Sequence, residues 1–203
     1  VTAAQQQALF DLGVSNAFDL GQVNYFTNGF ETRTQGVDAV LPYRAPLGFG
    51  SINSSLAVNY NKSEVTERTR PEAITEQRAL NIAGLTPEFR GVFATTFDAD
   101  VWYVTGRVNY HGEITSYNST VAEGPTVQTF GDEFSFDLEV GATIAERFRL
   151  AVGVENLFDE YPDREVRNIY PETGAQGSGR IYNDASPIGY LGGFWYVRVG
   201  ADF

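Results

Sequence analysis

The residues best suited to chemistry are two carboxylates, Asp137 and Glu139, in a run that alternates apolar and polar residues. In a β-strand both side chains would point to one face, roughly 7 Å apart, a distance at which two carboxyl groups can share acid–base work. A polar strand face beside water routinely carries charges, however, and Arg149 in the next alternating run would neutralise them. We therefore predict no catalytic residue and no enzyme activity.

Metal ions, cofactors and nucleic acids have no recognisable site. His111 is the only histidine and there is no cysteine, whereas a metal centre needs several convergent ligands. The segment Gly48-Phe49-Gly50 lacks the third glycine and the following helix of a dinucleotide-binding fingerprint, so it predicts a hairpin turn. The net charge of -12, from 14 basic and 26 acidic residues, disfavours binding to a phosphate backbone. The sequence thus predicts no metal, no cofactor and no nucleic-acid partner.

Seven segments alternate apolar and polar residues with period two, the pattern of strands with one apolar face. No run approaches the roughly 20 continuous apolar residues of a membrane-spanning helix. The mean hydropathy of -0.23 is also low, but a membrane β-barrel meets lipid only at every second residue and has the same low average. The apolar rows run from Val37 to Tyr43, Ile52 to Tyr60, Phe89 to Phe97, Trp102 to Tyr110, Phe134 to Ile144, Phe148 to Val154 and Leu191 to Phe203.

The gaps between these rows alternate in length. Gaps of eight, four and three residues follow Tyr43, Phe97 and Ile144, whereas the other three hold 28, 23 and 36 residues. Short turns on one rim and long loops on the other are typical of outer-membrane barrels, in which the short turns are periplasmic. Aromatic residues at the row ends would form two interfacial girdles. We predict an all-β, antiparallel transmembrane barrel segment of about seven strands with long extracellular loops; half-buried strands that face another sheet are the alternative.

The strand count predicts that this chain is one part of a larger barrel. If the last strand descends to the periplasm, the first of seven does too, which leaves residues 1–30 outside the cell as a loop and strand entry. Bacterial single-chain barrels have an even number of strands, so further strands are expected from elsewhere. The chain starts at Val1 without an apolar leader, so an exported protein would be processed or partial. Local helices are predicted after Thr2, where Gln5 completes a capping box, and after Thr75.

The segment from Asp159 to Gly189 mixes tyrosine and arginine with glycine. Such a loop suits recognition of planar, anionic or sugar-like ligands; a solvated outer loop that contacts lipopolysaccharide or neighbouring loops is the alternative. On the predicted facing, Val140→Arg should be costly in lipid, and Gly141→Arg should be milder only if its side of the sheet is open lumen. The expected substrate-facing residues, on polar strand faces or in this loop, are Arg90, Asn109, His111, Asp137, Tyr170 and Arg180.

Three stretches resemble TonB-dependent outer-membrane receptors. The run from Gly193 to Phe203 is similar to the C-terminal signature of outer-membrane barrels. The motif Asn156-Leu157-Phe158-Asp159 is similar to the Asn-Leu-Phe-Asp signature near the end of these receptors, and residues 25–38 resemble a loop-to-strand passage in many of them. The resemblance makes residues 1–203 the C-terminal portion of a receptor barrel, with strands, short periplasmic turns and long outer loops in 31–203.

This resemblance implies a 22-stranded barrel, closed by an N-terminal plug, that imports a scarce solute with energy transmitted through TonB. The solute would be an iron chelate (siderophore), a vitamin or an oligosaccharide; no plug and no TonB-contacting segment is found in this sequence. The implied partners are lipid and lipopolysaccharide of the bacterial outer membrane, the remainder of the barrel and the plug, TonB, the barrel-assembly machinery and a small-molecule ligand. The implied assembly signal is Trp195, Val197, Val199, Ala201 and Phe203.

Two other functions fit the same alternating pattern. One is a structural or adhesive outer-membrane barrel that transports nothing, and the other is a soluble all-β binding domain. An N-terminal plug and TonB-contacting segment in the full gene would favour transport, whereas recovery in the soluble fraction would favour the second alternative.

Overall fold

The computed structural model describes residues 1–22, 28–69, 74–120, 124–165 and 181–201. Its strands are β1 (Glu31–Leu47), β2 (Gly50–Glu67), β3 (Phe89–Asp98), β4 (Trp102–His111), β5 (Ile114–Thr120), β6 (Gly124–Phe130), β7 (Glu133–Ile144), β8 (Phe148–Glu155) and β9 (Phe194–Ala201). Seven of them form one antiparallel sheet in the order β1-β2-β3-β4-β7-β8-β9, while β5 and β6 form a separate hairpin. The predicted all-β, seven-stranded antiparallel segment is confirmed, with β1 and β9 as the edges of the sheet.

The register places all the predicted apolar rows on one face. Directly opposed residues of neighbouring strands project to the same side of a sheet. Leu56 opposes Leu41 on one side and Phe93 on the other, and Val152 opposes Val197. The pairings of β4 with its two neighbours, and of β7 with β8, continue this pattern across the sheet. We call this side the apolar face; its large side chains remain largely exposed.

The three short turns lie together at what we call the short-turn rim, opposite the long-loop rim. Gly48 and Phe49 join β1 to β2 in a two-residue hairpin, as predicted. Between β7 and β8, Ala145 and Glu146 have φ values of 50° and 55°, and consecutive positive φ values match the twist of a hairpin. Asp100, in the turn after β3, has φ 62°.

Strands β1 and β2 extend well beyond their apolar rows, to 17 and 18 residues. In the extension, the hydroxyl groups of Thr34 and Ser63 hydrogen-bond across the two strands at 2.8 Å. Backbone ladder bonds form between polar residues as readily as between apolar ones. Hydrophobic alternation therefore predicted only the part of these two strands that has an apolar row, and not their polar extensions.

Two predicted helices are confirmed outside the sheet. Thr2 Oγ1 accepts the Gln5 N–H at 3.3 Å while Gln5 Oε1 accepts the Thr2 N–H at 2.8 Å, which completes the capping box. The second helix begins after Thr75, whose side chain accepts the Arg78 N–H. No helix in the described ranges is long and apolar enough to cross a membrane. The helices are α1 (Ala3–Asp11), a 3₁₀ helix (Ala17–Asp19) and α2 (Glu76–Gly84).

The β5–β6 hairpin was not predicted from the sequence. Its terminal pair, Ile114 and Phe130, is only 3% and 2% exposed, so this outer region has a small core of its own. Helix α2 docks on β5 through Asn81, whose side chain donates to the Tyr117 carbonyl at 2.6 Å and accepts the Tyr117 N–H at 2.7 Å. Asn81 thus pairs with the backbone of β5 much as a neighbouring strand would.

Candidate functional site

The side of the sheet opposite the apolar face, here called the polar face, carries side chains that hydrogen-bond from strand to strand. Asn59 on β2 donates to the Asp38 carboxylate on β1 at 2.5 Å. The hydroxyl groups of Thr96 and Thr105 meet across β3 and β4 at 2.8 Å. The two halves of the sequence alternation thus correspond to two chemically different faces.

Asp137 is the centre of a network on the long-loop half of the polar face. Asn109 Nδ2 donates to Asp137 Oδ2 at 2.9 Å and to Ser135 Oγ at 3.1 Å. Arg107 forms an ion pair with the same carboxylate at 3.5 Å, and the Asn156 backbone N–H donates to Asp137 Oδ1 at 3.0 Å. Because three donors hold it, the Asp137 carboxylate has a fixed position and a compensated charge.

Asn156 forms the turn that leaves β8. Its φ of 52° lies in the left-handed region, which asparagine adopts more readily than most residues. Its side chain accepts the Glu160 N–H at 3.0 Å and donates to the Glu160 carbonyl at 2.7 Å. Asn156 is 9% exposed. The Asn-Leu-Phe-Asp motif therefore folds as a closed turn around a buried Asn156, whereas Leu157, Phe158 and Asp159 are exposed.

The second half of the motif ties this turn to the neighbouring strands. Asp159, with φ 58°, accepts the N–H of Gly193, the residue that precedes β9, at 2.8 Å. The Asp159 carboxylate also raises the pKa of the Tyr161 phenol, mainly through its charge and then through a hydrogen bond. The Phe158 ring packs edge-on against Phe136 of β7, with 5.1 Å between centroids. One motif thus connects β7, β8 and the start of β9.

Residues 183–193, which we call the inward segment, lie against the polar face near the long-loop rim. Ser186 Oγ donates to the Glu133 carboxylate, with its two oxygens at 3.0 and 3.1 Å. Glu133 is 9% exposed and also hydrogen-bonds the backbone of Ile188. The bond between Asp159 and Gly193 fixes the other end. The segment is therefore held at two points.

A cavity of about 480 Å³ lies between the inward segment and the polar face. It brings together three predicted substrate-facing residues, Asn109, His111 and Asp137, and the Nδ1 atom of His111 is buried without a hydrogen-bond partner among the described residues. Its volume is typical of small-ligand sites, which span about 300–1,000 Å³. The lining residues are Asn109, His111, Ser135, Asp137, Glu155, Asn156, Pro187, Ile188, Gly189, Tyr190, Leu191, Gly192, Gly193 and Phe194.

The other predicted substrate-facing residues lie elsewhere. Arg90 opposes His111 across β3 and β4 but does not line the cavity. Tyr170 and Arg180 fall outside the described residues. Sequence reasoning missed Glu133 and the inward segment, because they meet through contacts between residues 53 positions apart in the chain. The Asn-Leu-Phe-Asp motif could have pointed to this site, because Asn156 lines the cavity. Its role in the turn after β8 was not predicted.

The residues predicted as an assembly signal lie on the apolar face of the edge strand β9. Trp195, Val197 and Val199 are 68%, 67% and 72% exposed, and Ala201 is exposed on the same face. Phe203 falls outside the described residues. The role of these residues in assembly stays a prediction.

A second polar cluster occupies the short-turn half of the polar face. Glu139 accepts hydrogen bonds from the hydroxyl groups of Tyr103 at 2.6 Å and Tyr196 at 2.7 Å, and from the Arg198 guanidinium at 2.7 Å. Arg198 also donates to the Tyr103 oxygen at 3.2 Å. Asp137 and Glu139 thus have separate sets of donors, so they are not arranged as a pair that shares a proton.

Two glycines make room for the tyrosine rings of this cluster. A Cβ atom at Gly141 would collide with the ring of Tyr103, and one at Gly153 would collide with the ring of Tyr196. The condition for a mild Gly141→Arg substitution, open space on that side of the sheet, is therefore not met, because the ring of Tyr103 covers Gly141. Gly141→Arg is no mild control for a lipid-facing substitution.

Comparison with known proteins gives one family. The model of the TonB dependent receptor-like β-barrel matches residues 6–157, which include six of the seven strands in the sheet and end within the Asn-Leu-Phe-Asp motif. The search of curated proteins gives no significant match. That family consists of outer-membrane transport receptors rather than enzymes. Because the match covers well over half of a chain that forms the expected antiparallel sheet, this protein belongs to the TonB-dependent receptor β-barrel family.

Proposed function

We propose that this chain forms the C-terminal part of the wall of an outer-membrane active transporter, which imports a scarce solute with energy transmitted through TonB. The observation that carries the proposal is the sheet itself, with a continuous exposed apolar face across all seven strands and a hydrogen-bonded polar face behind it. An apolar face towards lipid and a polar face towards a lumen is the arrangement of a membrane barrel wall.

Aromatic contacts on the apolar face support this orientation. At the short-turn rim, the rings of Phe97 and Trp102 lie 5.3 Å apart. At the long-loop rim, Tyr110 lies between Phe89 at 5.7 Å and Phe134 at 4.7 Å. Aromatic rings concentrate where a membrane meets water, because they have an apolar body and, in tyrosine and tryptophan, a polar edge. Two such belts bound the apolar face.

The site under the inward segment suits the entry of a solute. It lies at the long-loop rim, which in this orientation faces the outside of the cell, and it opens on the polar face. A solute held there would lie at the mouth of the lumen. The solute classes of the family, an iron chelate, a vitamin or an oligosaccharide, all fit this general role.

The cellular location of the protein distinguishes the proposed membrane transporter from a soluble binding domain. The full-length gene product, expressed in a Gram-negative host, should sediment with the outer membrane and show a folded band that shifts on heating in gel electrophoresis. Recovery of the folded protein in the soluble fraction would overturn the proposal.

Binding to TonB distinguishes the proposed transporter from a structural or adhesive barrel that transports nothing. The purified full-length protein should bind the C-terminal domain of TonB, measured by pull-down with that domain immobilised. A membrane barrel that does not bind this domain would contradict TonB-driven transport and favour a role without transport.

A further inference from the structure

The cavity under the inward segment adjoins a second one, and the two share Tyr190. The second cavity has about 230 Å³ and is lined by Ile181, Tyr182, Asp184 and Tyr190. Tyr182 stacks on Tyr161, with ring centroids 5.7 Å apart and planes inclined by 18°. Because Tyr190 lines both cavities, a ligand of several linked units can contact both of them at this residue, whereas a compact ligand fills one.

The charges around the larger cavity nearly balance. Asp137 and Glu155 line it and Glu133 anchors the inward segment, while Arg107 is paired with Asp137 and Arg90 lies on the adjacent strand. Neither cavity has an arginine or a lysine among its described lining residues. An anionic ferric chelate or a phosphate ester requires an excess of cations. The site therefore favours a ligand without net charge.

The lining groups also match the hydrogen bonding of hydroxyl groups. Glu155 offers a carboxylate, and the phenol of Tyr190 donates and accepts. The buried Nδ1 of His111 has no partner in the described part of the chain, so a ligand group that hydrogen-bonds there would satisfy it. Sugars carry many hydroxyls, and the C–H faces of their rings can pack on Tyr190, which is 57% exposed.

We infer that the two cavities that share Tyr190 bind a neutral, polyhydroxylated ligand of the oligosaccharide class rather than an anionic iron chelate. This inference rests on the proposed transport function and names the substrate of the same site. Tyr190 is its central residue, since it borders both cavities, and Glu155 is the carboxylate that binds hydroxyls.

Calorimetric titration of the purified full-length protein tests the inference. The probes are neutral glucose-, xylose-, mannose- and N-acetylglucosamine-based oligosaccharides, with ferric tris-catecholate and ferric citrate as anionic chelates. At least one oligosaccharide should bind and neither chelate should. Tyr190→Ala and Glu155→Gln should each weaken that binding by about tenfold, the effect of losing one ring contact or one hydrogen bond.

The matched control is Asn53→Ala, which removes a polar side chain from the same face but near the short-turn rim, away from both cavities. It should leave oligosaccharide binding unchanged, and heat-shifted bands should show that all three variants are folded. Binding that Tyr190→Ala and Glu155→Gln both leave intact would overturn the inference.

Binding of a ferric chelate instead of an oligosaccharide, or binding of no probe, would also overturn it. In either case the transport proposal stands if the same preparation binds the TonB domain. Failure to bind that domain contradicts the transport proposal separately, so the two failures are distinguishable.

Discussion

Glu139 shows how single residues shape the polar face. Its carboxylate accepts from Tyr103, Tyr196 and Arg198, and the two tyrosine rings lie over Gly141 and Gly153. The rings reach the carboxylate only because the residues beneath them have no side chain. The cluster thus depends on glycine for close approach, although neither glycine has a positive φ.

Gly141→Ala is expected to destabilise the full-length protein by about 1–3 kcal/mol, because the added methyl group displaces the ring of Tyr103. The measurement is the temperature at which the folded band is lost in gel electrophoresis. Gly106→Ala is the matched control, since a Cβ atom there meets no other atom within 4 Å. Equal thermal stability of the two variants would contradict this packing.

For single residues, the sequence predicts the face of the sheet on which a side chain lies but not the residues that it contacts. Asn109, His111 and Asp137 could be placed on a polar face because alternation fixes which way a strand residue points. Their joint cavity could not be predicted, because it needs the inward segment and the bond from Ser186 to Glu133. Alternation carries no information about a contact of this kind.

Among the secondary-structure elements, helix α2 and the β5–β6 hairpin form a docked pair through Asn81. Asn81→Ala removes a donor and an acceptor that both act on Tyr117, so local opening should become about tenfold or more easier. Limited proteolysis of the full-length protein should then cut within residues 74–84 correspondingly faster. Gln7→Ala, which loses one exposed hydrogen bond to Asp11 in α1, should leave that rate unchanged; equal rates in both variants would contradict the docking.

The strands make a separate prediction about the two faces of the sheet. Val140 lies in mid-strand on the apolar face, 47% exposed, and Val140→Arg should cost about 2–4 kcal/mol at the midplane of a bilayer. Ser55→Arg is the matched control, because Ser55 lies on the polar face between the uncharged Pro42 and Ala94. The amount of heat-shifted barrel in outer membranes measures both. Equal losses would argue against the assignment of the two faces.

Secondary-structure elements were predictable where the sequence has an alternating apolar row or a helix-capping residue. Elements without either signal were not predicted. The seven strands of the sheet have apolar rows, and α1 and α2 have capping residues at Thr2 and Thr75. The β5–β6 hairpin lacks a sustained apolar row, and among its described side chains only those of Ile114, Ser116 and Phe130 are buried. Its pairing depends on backbone hydrogen bonds, which any sequence without proline at the donors can make.

For the whole molecule, the decisive property is that the sheet has edges. Strands β1 and β9 do not pair with each other in the described residues, and unpaired backbone groups are very costly in a bilayer. In the proposed transporter both edges therefore pair with further strands. The final strand is the one that the resemblance associates with assembly.

Deletion of Phe203 is expected to reduce the amount of folded protein in the outer membrane, because the proposed assembly signal loses its terminal aromatic residue. The measurement is the heat-shifted band in outer membranes of cells that express the full-length gene. Phe203→Tyr keeps an aromatic ring and should retain most of the folded protein. An undiminished band after the deletion would contradict the assembly role.

The docking of α2 also bears on how the surface of the β5–β6 hairpin can change over evolution. Asn81 and Gln77 hydrogen-bond to backbone atoms of Tyr117, and those atoms are the same for every residue except proline at that position. Substitutions in the hairpin can therefore alter its exposed surface while these hydrogen bonds persist. Position 81 should vary little among close homologues, whereas exposed positions of the hairpin are free to diverge.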